Sequence, residues 1–209
     1  MDLFTYYRST SSYRVRIALA LKGLAYTALP VNLLRGEQGS PAFRVINPQG
    51  RVPALRLDSG EVITQSAAII EYLEECYPQT PLLAATPIPR ARQRAVAALI
   101  GCDIHPLHNV SALDRLRAMG HAQAQVTEWI RHWIGEGLAT VEQMVEGQGF
   151  CFGDTPSVAD VYLLPQLYAA RRFEVDLVAL PRLARIEAHA LAHPAFQAAH
   201  PDAQPDKPD

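Results

Sequence analysis

The first third of the chain mixes short apolar runs with helix-period stretches, and everything after it keeps a helical period. Asp2 to Tyr6 is an apolar-aromatic run that predicts a strand. Arg8-Ser-Thr-Ser-Ser12 is a polar turn rich in helix-capping hydroxyls. From Tyr13 to Lys22, Val15, Ala18, Leu19 and Leu21 offer one face to a core, and Gly23 stops the helix. A second strand lies within Ala25 to Leu33, followed by a loop at Arg35-Gly-Glu-Gln-Gly39. Val52-Pro-Ala-Leu-Arg-Leu57 and Glu61-Val-Ile63 predict two strands joined by a turn at Asp58-Ser-Gly60. Gln65 to Glu75 is an amphipathic helix, with Ile69, Ile70 and Leu73 on one side and Glu71, Glu74 and Glu75 on the other.

The resulting order is β-α-β, a variable stretch, then β-β-α, which predicts a small α/β domain ending near Cys76. Tyr77 to Pro89 holds four prolines and has the composition of an interdomain linker. From Arg90 onward no strand-like alternation occurs. Helical patterns run from about Arg90 to Leu116, about Gly120 to Glu146, Ser157 to Phe173 and Pro181 to Leu191. Ser157-x-x-Asp160 is a capping box. The expected layout is an α/β domain over residues 1–80 and an all-helical domain over 88–209, its proline-rich tail after His200 extended or disordered.

Composition narrows the function classes. A net charge of -2 calls for neither nucleic acid nor an anionic membrane surface, so any anion binding must come from locally placed arginines. No apolar run is long enough to cross a bilayer, and the N-terminus does not have a secretory signal's pattern. Three scattered cysteines with no C-x-x-C spacing argue against a disulfide framework and predict a reducing, cytoplasmic compartment.

Three local features carry candidate chemistry. Ser9, Thr10, Ser11 and Ser12 lie between a predicted strand and a predicted helix. One of them suffices as a cap; a spare hydroxyl beside the positive end of the helix could instead stabilise a bound thiolate. Val52-Pro53 opens a strand, and a cis bond there would present the Val52 N–H and C=O to an extended peptide. Gln65-Ser66 starts a helix and reads either as a cap or as a site for a carboxylate.

Together these residues resemble a known family. Tyr7-Arg-Ser-Thr-Ser-Ser-Tyr-Arg-Val-Arg-Ile-Ala-Leu-Ala-Leu-Lys-Gly23 is similar to the active-site segment of zeta-class glutathione transferases, S-S-C-x-W-R-V-R-I-A-L. Asn47-Pro-x-Gly-x-Val-Pro-Ala-Leu55, Gln65-Ser-x-Ala-Ile-Ile-Glu-Tyr-Leu-Glu74, Gly153-Asp-x-Pro-x-Val-Ala-Asp160 and Arg171-Arg-Phe-x-Val-Asp-Leu177 resemble further landmarks, so the likeness spans essentially the whole chain. It implies a thioredoxin-like N-terminal domain with a cis Pro53, an all-α C-terminal domain, glutathione as cofactor and a homodimer. Residue by residue, it implies that Ser9 or Thr10 holds the thiolate with Ser11 and Ser12 beside it. Val52 pairs with the tripeptide backbone, Gln65 and Ser66 take its γ-glutamyl end, and Gln38 adds a contact. His105 and Asn109 are implied as cleft residues near glutathione or substrate. Thr10, Ser11 and Tyr13 depart from the motif's serine, cysteine and tryptophan.

Members of this class act as maleylacetoacetate or maleylpyruvate isomerases, on substrates that carry two carboxylates. The resemblance therefore implies that Arg8 and Arg172, facing each other across the domain cleft, grip the diacid, a task that suits the planar guanidinium fork. Maleylacetoacetate is favoured slightly over maleylpyruvate. The rival readings are a broader glutathione transferase or haloacid dehalogenase that consumes glutathione, and a non-catalytic glutathione-binding module. Cys102, His105 and His108 are spaced for one helix face, but Pro106 interrupts that geometry, and no metal is expected.

Overall fold

A computed structural model describes residues 1–208. These form two compact units, Met1–Leu82 together with the segment from Ala192 to the C-terminus, and Leu83–Leu191.

The first unit is built on a four-stranded sheet of order β2-β1-β3-β4, from β1 (Asp2–Thr5), β2 (Thr27–Pro30), β3 (Ala54–Arg56) and β4 (Val62–Thr64). β1 runs parallel to β2 and antiparallel to β3, with Leu3 opposite both Ala28 and Leu55. Helix α1 (Thr10–Leu21) follows β1, and α3 (Ser66–Cys76) follows β4. Leu3, Val15, Ile17, Leu19, Leu55, Ile69 and Leu73 are buried in this layer. The stretch left variable by the sequence contains two 3-10 turns, Leu33–Arg35 and Glu37–Gly39, and a short helix α2 (Pro41–Ile46). Ser40 caps α2 through an acceptor bond from the Phe43 N–H, and Pro41 supplies the first turn. α2 buries Phe43 edge-on against Phe4.

Lys22 ties this layer to the segment after α3. Its side chain is 1% exposed and its ammonium donates to Glu74 Oε2 at 2.7 Å and to the carbonyls of Tyr77 and Thr80, both at 2.9 Å. Three donors meet three acceptors. Glu74 also accepts from the Leu82 N–H at 3.0 Å. Replacing Lys22 with Met leaves that carboxylate without its cation, and unfolding in urea is expected to show a loss of about 3 kcal/mol. An unchanged midpoint would count against this ion pair as the anchor of residues 77–82.

The second unit is all helix: α4 (Pro87–Ala98), α5 (Val110–Ala118), α6 (Gln123–Met144), α7 (Val158–Arg172) and α8 (Pro181–Leu191). The single helix expected from about Arg90 to Leu116 is broken. After α4 the chain widens into a π-helical turn at Leu99–Ile104 and tightens into a 3-10 turn at His105–His108, with α5 starting afresh. Pro106 offers no N–H to continue an α ladder, and Asn109 caps the new helix with its side chain. Gly137 on α6 accommodates this break, because a Cβ there would lie 2.3 Å from Ile104 Cγ1. α7 is buried on almost every side, as an apolar-all-round helix must be. The carboxylate half of its capping box forms as the sequence predicts: Asp160 accepts from the Ser157 N–H at 2.8 Å and from the Cys151 N–H at 2.7 Å. The Ser157 hydroxyl donates to that carboxylate at 2.8 Å instead of accepting an N–H. Burial raises the Asp160 carboxyl above its ordinary range against the pull of these bonds, and burial likewise pushes the Cys151 thiol well up.

The C-terminal tail departs from expectation twice. Residues 192 onward cluster with the first unit rather than with the helical one. The segment after His200 is also neither extended nor disordered over the described residues. α9 (Pro194–Ala199) packs on α1, and a 3-10 turn at Pro201–Ala203 follows it. Phe196 and Ala199 are the apolar anchors, at 0% and 2% exposure.

Candidate active site

The hydroxyl cluster sits where strand β1 hands over to helix α1. Ser9 has extended backbone (φ -67°, ψ 117°), and its Oγ accepts from the Ser12 N–H at 3.3 Å, so it is the cap. Capping uses one hydroxyl of the four. Ser11 donates to the Val52 carbonyl at 3.1 Å and lies 3.4 Å from the Ser9 Oγ. Thr10 and Ser12 are buried, and the Ser12 Oγ has no hydrogen-bond partner. Two partly exposed hydroxyls, Ser9 and Ser11, thus lie 3.4 Å apart at the N-terminus of α1, an arrangement that favours negative charge.

The Val52–Pro53 bond is cis. The Val52 N–H makes no hydrogen bond among the described residues, while its carbonyl takes only the Ser11 hydroxyl. The loop 47–53 that carries it meets three of the candidates, Ser11, Gln38 and Gln65. Asn47 braces it, accepting from the Gln49 N–H and donating to the Arg51 carbonyl. Gly50 has φ +64°, and a Cβ there would fall 2.9 Å from the Gln38 carbonyl, so the 37–39 turn lies against it. The Gln38 side-chain oxygen is buried without a partner. Gln49 accepts from the Gln65 amide at 2.6 Å.

Gln65 itself has φ +70°, a left-handed conformation that a residue with a side chain adopts at a cost. No side chain caps α3, and no acidic residue occupies its first turn. Ser66, its first residue, is buried. The neutral reading of Gln65-Ser66 as a self-sufficient cap therefore fails, because neither side chain performs it.

Arg8 lies between Ser9 and two aromatic residues, its guanidinium 5.9 Å from the ring centres of both Tyr6 and Tyr7. No carboxylate among the described residues pairs with it. A half-exposed, unneutralised guanidinium resting on aromatic rings is suited to an external carboxylate.

The helical unit carries the other three candidates. His105 opens the 3-10 turn and meets the His108 ring edge-on at 5.2 Å. His108 is buried on Gln166, 3.2 Å from its Oε1, and the Trp129 indole donates to the Leu107 carbonyl at 2.8 Å, so the segment carrying His105 is held from two sides. Asn109 accepts from the Ser111 N–H, a capping role that occupies its oxygen. Arg172 ends α7 with its guanidinium 4.5 Å from the Phe173 ring, whereas its neighbour Arg171 is committed to a bidentate pair with Glu187. Among the described residues no three of His, Cys, Asp and Glu gather into a metal-binding cluster. No helix among them is long and apolar enough to cross a membrane.

Sequence reasoning missed Gln49 and Asn47 as supports of the site. Both reach the other candidates through contacts that no motif spells out.

Comparison with known proteins gives the family. Residues 3–81 match the glutathione S-transferase N-terminal domain, and residues 123–189 match the glutathione S-transferase C-terminal domain. The maleylacetoacetate isomerase of Pseudomonas aeruginosa is 65% identical, covering 100% of this chain and 99% of its own. The holo structure of a maleylpyruvate isomerase, a bacterial zeta-class glutathione S-transferase, superposes with a TM-score of 0.96 at 44% identity over 100% of both chains. A maleylacetoacetate isomerase from Methylobacterium extorquens AM1, solved with malonate and glutathione, superposes with a TM-score of 0.95 at 39% identity, again over 100% of both. With a thioredoxin-like sheet, a cis proline beside a hydroxyl-rich helix N-terminus and full-length likeness to these enzymes, the chain belongs to the zeta class of the glutathione S-transferases.

Proposed function

We propose that the protein is a glutathione-dependent cis–trans isomerase that converts maleylacetoacetate to its fumaryl product, with maleylpyruvate as the second substrate. The observation that carries the reading is the hydroxyl cluster of α1 bonded to the Val52 peptide, one residue from an arginine with no carboxylate partner among the described residues. The preference for maleylacetoacetate is supported by the 65% full-length identity to an enzyme of that name.

The residues of the first unit fit glutathione on three counts. The Val52 N–H and C=O suit an extended peptide, the uncapped N-terminus of α3 suits a carboxylate, and the buried Gln38 oxygen wants a donor. When bound, glutathione would supply a thiolate for reversible addition to the cis double bond, the chemistry a cis–trans isomerisation without net consumption of the thiol needs. The chain's own residues do the rest. Ser11 donates to the Val52 carbonyl, while Ser9 accepts at the cap and has only the long 3.4 Å contact to the Ser11 Oγ for its own proton, so that proton is the one that can turn toward sulfur. Gln65 and Ser66 orient the γ-glutamyl end. Arg8 holds one substrate carboxylate and Arg172 the other, with His105 and Asn109 as neighbours of the bound pair. The protein works in the cytoplasm as a homodimer, in keeping with its class and its three free cysteines.

The test follows the absorbance of both diacids with and without glutathione. Turnover that requires glutathione and leaves its concentration unchanged after many cycles is expected, faster on maleylacetoacetate. Stoichiometric loss of glutathione would replace the isomerase with a transferase or dehalogenase.

A further inference from the structure

We propose that the C-terminal segment is a positioning element of the active site, with Asp206 as the residue that sets the backbone carrying Arg8. The inference rests on the reading of Arg8 as a ligand of the substrate carboxylate.

Tyr7, the residue before Arg8, is held at both ends of its peptide units. Its N–H donates to Asp206 Oδ2 at 2.8 Å, and its carbonyl accepts from the Arg16 guanidinium at 2.7 Å. These bonds span 199 and 9 residues of sequence, so one tether comes from α1 and the other from the far end of the chain. Arg16 is 0% exposed and also donates to Thr5 Oγ1 at 3.1 Å, to the Tyr6 carbonyl at 3.3 Å and to the Ala199 carbonyl at 3.0 Å. It therefore gathers the end of β1, the loop before Arg8 and the last carbonyl of α9 on one buried cation.

The tail is stiffened to bear this load. The Gln204 amide donates to the carbonyls of Ala198 and His200, both at 3.0 Å, and His200 meets the buried Tyr13 ring edge-on at 5.9 Å. The tail's buried apolar anchors are Phe196, Ala199 and Pro201. The chain continues past them, and the carboxylate at 206 reaches the amide of the residue before Arg8. Arg8 has no ion pair of its own among the described residues; it rests on the Tyr6 and Tyr7 rings, so the backbone of Tyr7 sets both the arginine and one of the rings beneath it.

Asp206 is the tether that can be cut cleanly, since it is half-buried and removing it leaves the Arg16 bonds in place. In Asp206→Ala the KM for maleylacetoacetate is expected to rise about 5- to 10-fold, with kcat and the glutathione KM within about two-fold of wild type. Asp206→Asn keeps an acceptor oxygen and is expected to restore the wild-type KM. Hydrogen exchange at the Tyr7 amide should quicken in the alanine variant and stay slow in the asparagine variant. An Asp206→Ala enzyme with unchanged diacid KM overturns the proposal, as does one whose glutathione KM rises equally, because that marks general loosening. If the wild type turns over neither diacid, it is the isomerase reading that fails. The exchange data then decide the tether alone, and an unchanged Tyr7 rate overturns it.

Discussion

Ser9→Ala is expected to lower kcat by about two orders of magnitude, the usual cost of losing one preorganised donor to a developing or resident anion. The prediction follows from where the hydroxyl protons go. Ser11 spends its proton on the Val52 carbonyl, while Thr10 and Ser12 are buried at 7% and 0% exposure. Ser9 accepts at the cap, and its proton meets nothing closer than the Ser11 Oγ at 3.4 Å, a long contact it can exchange for sulfur. Ser11→Ala and Thr10→Val are expected to stay within about five-fold of wild type, since neither removes that donor. The pH dependence carries a sign. A donor to sulfur favours the thiolate and depresses the thiol pKa, so Ser9→Ala moves it upward, and the deficit is largest at low pH and shrinks as pH rises. The ultraviolet absorbance of the bound thiolate, titrated in each variant, reads this directly. Losing the cap also costs about 1 kcal/mol of stability, which a thermal melt separates from the kinetic effect. A Thr10→Val enzyme that loses activity while Ser9→Ala keeps it would transfer the role to Thr10.

Arg8→Ala should act on the substrate side of the same site. A charge-assisted bond to a carboxylate is worth about 1.5–3 kcal/mol, so kcat/KM for the diacid is expected to fall about 10- to 100-fold with the glutathione KM unmoved. Arg8→Lys should recover only part of this, because an ammonium keeps the charge but not the fork that matches a carboxylate. Malonate, which a related isomerase binds together with glutathione, provides a second readout as a competitive inhibitor weakened in the alanine variant. Equal losses for the diacid and for glutathione would place Arg8 in the framework of the loop instead.

The parts of the fold legible in the sequence are those where pattern and punctuation agree. β1, α1 and α3 carry strong periodicity with a cap or stop at an end, and the Ser157-x-x-Asp160 box announces α7. α2 was hidden by its brevity, although Ser40-Pro41 is a helix start by composition. The tail was misread for a chemical reason. His193 and His200 each use Nδ1 to accept the amide two residues on, and each precedes a proline that opens a helical turn. Histidine is not among the residues that usually signal a cap, so His193-Pro194 gives no helix signal and His200-Pro201 reads as the start of an extended tail. At the site, residue types were readable, but the pairings were not. Nothing local reports that Ser11 reaches Val52 across 41 positions, or that Gly50 makes room for the Gln38 carbonyl.

The π-helical turn at Leu99–Ile104 resets the angular phase of the chain. Each of its bonds spans one residue more than an α-helical bond, and one residue is worth about 100° around a helix axis. Residues beyond it therefore face a direction that a helical wheel drawn through α4 would assign to their neighbours. Gly137 is the notch that accepts this rotation, since Ile104 occupies the volume its Cβ would fill. His105, the first residue past the turn, thus owes its bearing to an absent methyl on another helix. Deleting one residue of this turn would leave His105 in the chain but swing it about 100° around the axis.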